Sequence, residues 1–235
     1  MENIVVGIEG LVGSGKTSIC KCLLEYIDNS ILFHMGNLYR AIVYGLLSEY
    51  HSIDNMKQKL QHVNIKEKMD NLNIAYKIEN RETQIYINDK KITEEILQSP
   101  EISMGVSVIS NVVDNKDAFI VVKKIVDEMK EKYNVIASGR ALVDIYPEMD
   151  YHFFIIASLD ERVNRKYIQY KGKVSKKDLK NHISTRDQLQ DESGFYKKYN
   201  KTIIVDVTEC KSARESTELV LDKMQDKKIL LQACK

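Results

Sequence analysis

Between Gly10 and Thr17 the chain reads Gly-Leu-Val-Gly-Ser-Gly-Lys-Thr. Glycines at the first and sixth places, followed by Lys16 and Thr17, fit G-x-x-x-x-G-K-[ST] at every fixed position. Each residue type has a chemical reason. Glycines let a backbone turn its N–H groups inward around an anion, and a helix opening at Lys16 adds its positive end. A lysine at this place reaches the β- and γ-phosphates of a nucleoside triphosphate, and the Thr17 hydroxyl is a ligand for Mg²⁺. The residues expected to hold the nucleotide are therefore Gly10, Gly13, Ser14, Gly15, Lys16, Thr17 and Ser18, with Thr17 on the metal. No Asn-Lys-x-Asp guanine-reading element follows. The nucleotide expected is ATP with Mg²⁺.

Such a loop works only if a strand delivers it and a helix receives it. The segment Asn3–Ile8 is short, apolar and β-branched and runs straight into the glycines, as a buried parallel strand does. From Lys16 the spacing turns helical, with Ile19, Leu23, Leu24 and Ile27 along one side. Further strands are expected at Ser30–His34, Asn134–Ser138, His152–Ala157 and Thr202–Val207. Helices are expected at Leu38–Ser48, Asp54–Asp70, from Thr93, at Glu101–Val113, Asn115–Lys132, Asp160–Leu189 and Ser212–Gln225. Asn73–Ile78 and Gln84–Ile87 around the polar stretch Glu79–Thr83 read as a hairpin inserted at the sheet's edge. Strands alternating with helices imply an α/β fold, a parallel sheet with helices on both faces.

The composition sets the surroundings. With 35 basic and 34 acidic side chains the net charge is +1, so no global field draws nucleic acid or a membrane surface. Neither is expected as a partner. The 43% hydrophobic content, over 235 residues, suits one globular domain. Cys20, Cys22, Cys210 and Cys234 form no Cys-x-x-Cys pair, and the five histidines show no metal-ligand spacing. The start, Met-Glu-Asn-Ile-Val-Val, lacks a signal-peptide pattern, and no run reaches the roughly 18 apolar residues of a membrane span. A cytoplasmic setting is expected.

Five blocks, in order, resemble the bacterial cytidylate kinases. They are Ile8–Ser18 (IEGLVGSGKTS), Met35–Ala41 (MGNLYRA) and Ile85–Val108 (IYINDKKITEEILQSPEISMGVSV). Val135–Ser158 (VIASGRALVDIYPEMDYHFFIIAS) follows, then Arg186-Asp187 with the strand Ile203–Asp206. The third and fourth are far more specific than the glycine loop. The resemblance implies a P-loop kinase-type domain over residues 1–235, with a small acceptor-binding insertion at about 37–113 and a helical lid at about 160–190. It also implies transfer of the ATP γ-phosphoryl to CMP or dCMP by a monomer, with ATP and a small-molecule phosphate acceptor as partners. By resemblance Lys16, Arg162, Arg165 and Arg186 are the catalytic cations, and Gly36, Tyr39, Arg40, Lys116, Arg140 and Asp187 bind the acceptor.

The match is uneven where the family reads the acceptor's base and sugar. His34 and Met35 stand in place of a carboxylate and a hydroxyl, and the family's Asp-Gly-Arg-Asp reads Ser138-Gly139-Arg140-Ala141. The family's next Asp and Arg after Asp187 fall near Gln190 and Ser193, or Asp191 takes the acidic place after one insertion. Leu97 stands where an arginine is usual, and Lys116 replaces an arginine. Each lost partner of a buried donor costs about 1–3 kcal/mol, so discrimination for CMP would weaken. Two alternatives follow: a kinase of a different small phosphorylated acceptor, or an ATP-binding regulator that has lost transfer. Ser138 lies where an acidic partner of the Mg²⁺ waters is expected, leaving Glu9 and Asp187 as replacements.

Overall fold

The structure is a computed structural model that describes residues 2–59, 67, 71–99, 101–106, 116–196 and 198–224. The chain divides into two compact units, Met1–Leu32 with Lys132–Lys235, and Phe33–Glu131.

The first unit is built on β1 (Val5–Gly10), whose six residues are all buried, as its continuous apolar run requires. The strand begins two residues later than its composition suggests and continues through Glu9 and Gly10. On one side it pairs in parallel with β6 (Asn134–Ser138), Val5 opposite Val135 and Ile8 opposite Ser138. On the other it pairs in parallel with β7 (Tyr151–Ile156), Gly7 opposite His152 and Gly10 opposite Ile155. β7 in turn pairs in parallel with β8 (Thr202–Asp206). β2 (Ser30–His34), which carries the chain from one unit into the other, lies beside β6.

Period-two alternation sorts β1 onto two faces. Val6 and Ile8 join Ile19, Leu23 and Leu24 of the first helix, α1 (Lys16–Tyr26), and its C-cap Ile27 in the main core. Val220 and Met224, from the region of the closing helix Ala213–Leu221, complete that layer. Gly7 and Glu9 face the opposite way. A Cβ on Gly7 would stand 2.6 Å from the Met149 sulfur and 3.3 Å from Leu142, so the segment after β6 lies directly on the strand. Of the two cysteines on α1, Cys20 is in this core and Cys22 is half-buried, as two residues two apart on a helix must be.

The charged stretch expected as one helical region is two helices, Leu159–Gln169 and Lys176–Glu192. Ser158 and Ser175 cap them, each accepting from the backbone N–H three residues on. Between them Lys171 and Gly172 take positive φ values of 52° and 72°, which ends the first helix. Their apolar stripe is small: Val163, Leu179 and Ile183 pack around Val12, a residue of the glycine loop itself.

The second unit holds the long helix Met35–Tyr50, the helix Ile53–Lys59, the short Thr93-capped helix Glu94–Leu97 and the helix Lys116–Lys130. Residues 67 and 101–106 are helical; the rest of the stretches expected as helix at 54–70 and 101–113 lies outside the described residues. Its hairpin pairs β3 (Ile74–Glu79) with β4 (Glu82–Ile87), Ile74 opposite Ile87 and Glu79 opposite Glu82, and the two-residue β5 (Lys90–Lys91) returns antiparallel along β4. The turn is therefore two residues, Asn80 and Arg81, with φ of 51° and 65°. It is tighter than the five-residue polar stretch suggested, because two successive positive φ values match the strands' twist.

At Gly10 φ is +146°, and an added Cβ would stand 2.1 Å from the Ile155 carbonyl oxygen of β7. Gly10→Ala must prise β1 from β7 at the edge of the loop. We expect a loss on the order of 3 kcal/mol in urea unfolding, with a lower midpoint and an unchanged slope.

Candidate functional site

The loop between β1 and α1 is turned so that glycines take the positions other residues avoid. Gly13 and Gly15 have φ of 79° and 99°, and Gly15 is the N-cap of α1 with no side-chain cap on the helix's first N–H groups. Those donors are left to a ligand. Thr17 and Ser18 are exposed in the first turn, and Ser14 is fully buried, its hydroxyl lacking a hydrogen-bond partner among the described residues.

A loop whose N–H groups face inward turns its carbonyls outward, where each needs a donor. Three cationic side chains supply them. The Lys16 ammonium donates to Gly10 O and Leu11 O, both at 2.8 Å. Arg162, buried, donates from Nη1 to Val12 O at 3.0 Å and from Nε to Ala157 O at 3.0 Å. Arg165 donates from Nη1 to Ser14 O at 3.0 Å and from Nη2 to Val207 O and Cys210 O at 2.7 and 3.1 Å. Asp187 closes the frame, accepting from Val12 N–H at 3.2 Å and pairing with Arg162. The Tyr196 hydroxyl lies 2.8 Å from both Asp187 Oδ1 and Gln190 Oε1.

The electrostatics of Lys16 show what the loop is prepared for. Desolvation is the largest influence on its ammonium and, with the positive charge of Arg140 and, to a smaller degree, that of Arg186, lowers its pKa to about 7; Cys20, which outweighs Arg186, and Glu9 act in the opposite sense. Arg186 also depresses Lys166 and His182, in each case after desolvation, and Lys166 adds to the effect on His182. Lys16, Arg140, Arg186, Lys166 and His182 thus share one crowded positive field. A field that costs its own members protons favours a polyanion placed among them.

The structure brings together, within the first unit, the expected residues Gly10, Gly13, Ser14, Gly15, Lys16, Thr17, Ser18, Arg140, Arg162, Arg165, Arg186 and Asp187. Arg162 and Arg165, like Lys16, are bonded to backbone carbonyls of the loop, and the two arginines reach strand-end carbonyls as well. Gly36, Tyr39 and Arg40 belong to the second unit, where the Arg40 guanidinium folds to 2.8 Å from the place of a Cβ on Gly36. The Tyr39 hydroxyl there is buried without a hydrogen-bond partner among the described residues, and burial pushes its pKa up. Lys116 opens its helix, but its side chain lies outside the described residues.

The altered positions are equally plain. His34 sits 3.5 Å from the Glu82 carboxylate, and Met35 is buried. The Ser193 hydroxyl donates to Leu189 O at a helix end, and Asp191 is exposed. Neither candidate for the acidic Mg²⁺ partner has a free carboxylate: Asp187 is engaged as described, and Glu9 is buried. Its Oε1 accepts from Leu142 N–H at 2.8 Å and its Oε2 lies 2.9 Å from His152 Nε2. Lys166 and His182 went unnoticed in the sequence because they sit in a Lys-rich stretch that reads as a solvated face.

The cytidylate kinase family model matches residues 6–226. A cytidylate kinase of Clostridioides difficile is 28% identical over 235 residues, covering 95% of this chain and 99% of that protein. One from Alkaliphilus oremlandii is 30% identical over 214 residues, covering 88% and 92% respectively. One from Leuconostoc mesenteroides is 30% identical over 194 residues, covering 80% of each.

A lysine near pKa 7 makes nucleotide binding a proton-linked event. Above pH 7 the free protein carries Lys16 increasingly neutral, and a bound triphosphate restores the ammonium. Binding of MgATP at pH 8 should therefore take up roughly 0.9 proton per site, and affinity should fall as pH rises from 7 to 9. Calorimetry in buffers of different ionisation enthalpy measures the uptake; in Lys16→Met it should vanish.

Proposed function

Because the chain belongs to the cytidylate kinase family, we propose that it moves the γ-phosphoryl group of ATP to CMP or dCMP. Phosphoryl transfer to a nucleoside monophosphate comes with that membership; the acceptor is the proposal. The observation that supports it most is the convergence of Lys16, Arg140 and Arg186 on one field beside a loop that leaves its helix N-terminus uncapped. Phosphoryl transfer asks the protein for little covalent chemistry, only positioning and neutralisation of charge on the phosphoryl oxygens. A phosphate oxygen of the acceptor is already anionic near neutral pH, so no side-chain base is required.

In this reading the loop N–H groups and Lys16 hold the ATP phosphates, and Lys16 with Arg186 meets the charge of the γ-phosphoryl group. Arg140 seats the acceptor phosphate. Arg162 and Arg165 act at one remove, holding the carbonyls of Val12 and Ser14 so that the loop keeps its shape. Gly36, Tyr39, Arg40 and Lys116 are assigned to the acceptor by family resemblance. Thr17, exposed at the second position of α1, fits a Mg²⁺ ligand, and Mg²⁺ with several waters and substrate phosphates needs few protein groups. When bound, Mg²⁺ would neutralise the β- and γ-phosphates. We propose that the protein works as a cytoplasmic monomer; among the described residues no helix is long and apolar enough to cross a membrane.

One observation favours a second reading, a different phosphorylated acceptor. Ser138 and Ala141 carry no carboxylate, while the second unit sets the Glu82 carboxylate beside His34. Hydrogen-bond partners of different kind and place would suit a different base. A retired regulator is the weaker reading, since a chain freed of catalysis has no need to keep Lys16, Arg140 and Arg186 crowded at the cost of their mutual repulsion.

ADP release from MgATP, with CMP, dCMP, UMP and AMP offered separately, tests these readings. Fast turnover with CMP and dCMP, reduced at least a hundredfold in Lys16→Ala, is the expected result. Turnover with another acceptor only would favour the second reading. Tight ATP binding without any transfer would favour the regulator.

A further inference from the structure

Glu9 is an acidic residue buried beneath the phosphate loop, and the transfer chemistry just described does not use it. Its carboxylate is 3% exposed as a residue, and His152, its partner, is wholly enclosed. The pair belongs to a chain of contacts. His152 Nδ1 lies 2.9 Å from Thr202 Oγ1, which also accepts from Tyr199 N–H at 2.9 Å. His152 is thus held from both ring nitrogens, and Glu9 Oε2 is held by His152. That leaves Glu9 Oε1 aimed at one group, the N–H of Leu142 at 2.8 Å.

Leu142 follows the one non-glycine residue of the first unit's β6 exit that has a left-handed backbone. Ala141 has φ 53° and ψ 31°, and it is the N-cap of a single helical turn, Leu142–Ile145, to which it offers no side-chain cap. A left-handed alanine costs about 1–2 kcal/mol and persists only where its surroundings fix it. Glu9 is that fixture: a carboxylate on the orphan N–H that Ala141 cannot cap. The far end of the same turn is pinned as well. The Tyr199 hydroxyl donates to Asp144, and the Lys201 ammonium donates to Pro147 O and, at 3.3 Å, to Met149 O. The residue immediately before this fixed point is Arg140, whose charge bears on Lys16.

We propose that Glu9, locked by His152, is a positioning residue for Arg140: by holding the Ala141–Leu142 backbone it aims the guanidinium at the phosphoryl-transfer locus. The inference rests on the assignment of Arg140 to the acceptor phosphate. It makes the residue preceding the ATP loop act on the acceptor, so one strand end, that of β1, sets both halves of the reaction.

The test compares Glu9→Leu, which removes the acceptor of the Leu142 N–H, with Glu9→Gln, which keeps an oxygen for it and an amide for His152. Both are combined with Arg140→Ala. Glu9→Leu should raise KM for CMP about tenfold while the Kd for MgATP stays within threefold of the parent, and Glu9→Gln should stay close to the parent in both. Placed on Arg140→Ala, Glu9→Leu should add less than twofold, since what it positioned is gone. A multiplicative double variant overturns the proposal while leaving the role of Arg140 intact. Equal losses in Glu9→Leu and Glu9→Gln also overturn it, assigning Glu9 a charge effect on Lys16 instead. An Arg140→Ala enzyme with unchanged KM and kcat removes the assignment of Arg140, and this inference with it. Hydrogen exchange of the Leu142 amide in the parent protein serves even if Glu9→Leu does not fold: strong protection is expected, and exchange at the rate of an exposed loop amide overturns the proposal.

Discussion

The backbone of Gly10–Gly15 must present its N–H groups to one side, and everything nearby follows from what happens to the carbonyls on the other. A polyanion site made of main chain is a polarity inversion, and the carbonyls it displaces would be destabilising if left in a dry interior. This protein satisfies them with cations. Lys16 takes Gly10 O and Leu11 O, Arg162 takes Val12 O, and Arg165 takes Ser14 O. The loop is thereby bonded to a helix, Leu159–Gln169, that is more than 140 residues away in the chain. Val12 adds the apolar half of the same attachment, packed among Val163, Leu179 and Ile183. Any movement of those helices would therefore be felt at the phosphates.

The same arrangement explains why Lys16 is poised near pH 7. In the free protein it donates to two carbonyls in place of phosphate oxygens, but carbonyl dipoles offset desolvation only in part, and Arg140 and Arg186 stand too close. An incoming triphosphate supplies the missing negative charge. The cost of crowding cations is borne by the empty site and recovered on binding, so a preorganised field needs little rearrangement when the substrates arrive. Loss of the ligand leaves that repulsion behind.

How far this was legible in the sequence follows from the range of each interaction. β1, the loop and α1 are local, and their pattern is visible because glycines, a β-branched run and a 3.6-residue stripe are each short-range signals. β2 and β6 were placed to the residue for the same reason, since each opens directly after a polar turn. The division of the charged stretch into two helices turned on Lys171 and Gly172, a stop signal diluted by the lysines around it. Arg162 and Arg165 were visible as cations but not as carbonyl donors, because their partners lie 150 and 151 residues away. Glu9 and His152 are 143 residues apart and meet only because β1 and β7 are neighbours in the sheet. Nothing in the spacing of either residue announces the other.

Both acidic residues that sequence reasoning offered to the Mg²⁺ waters are committed to the frame, and this commitment has a consequence for the chemistry. Asp187 neutralises Arg162 and holds Val12 N–H; Glu9 holds Leu142 N–H and His152. To serve a metal, either would have to abandon a buried partner, which leaves an unpaired charge or donor behind and costs several kcal/mol. A hard cation that keeps most of its waters would not require such a sacrifice, because phosphate oxygens and the Thr17 hydroxyl would suffice to hold it. The carboxylates are thus better placed as struts than as ligands. Removing the negative charge of Asp187 would be expected to act through the shape of the loop, and hence on nucleotide binding, before it acted on any ion.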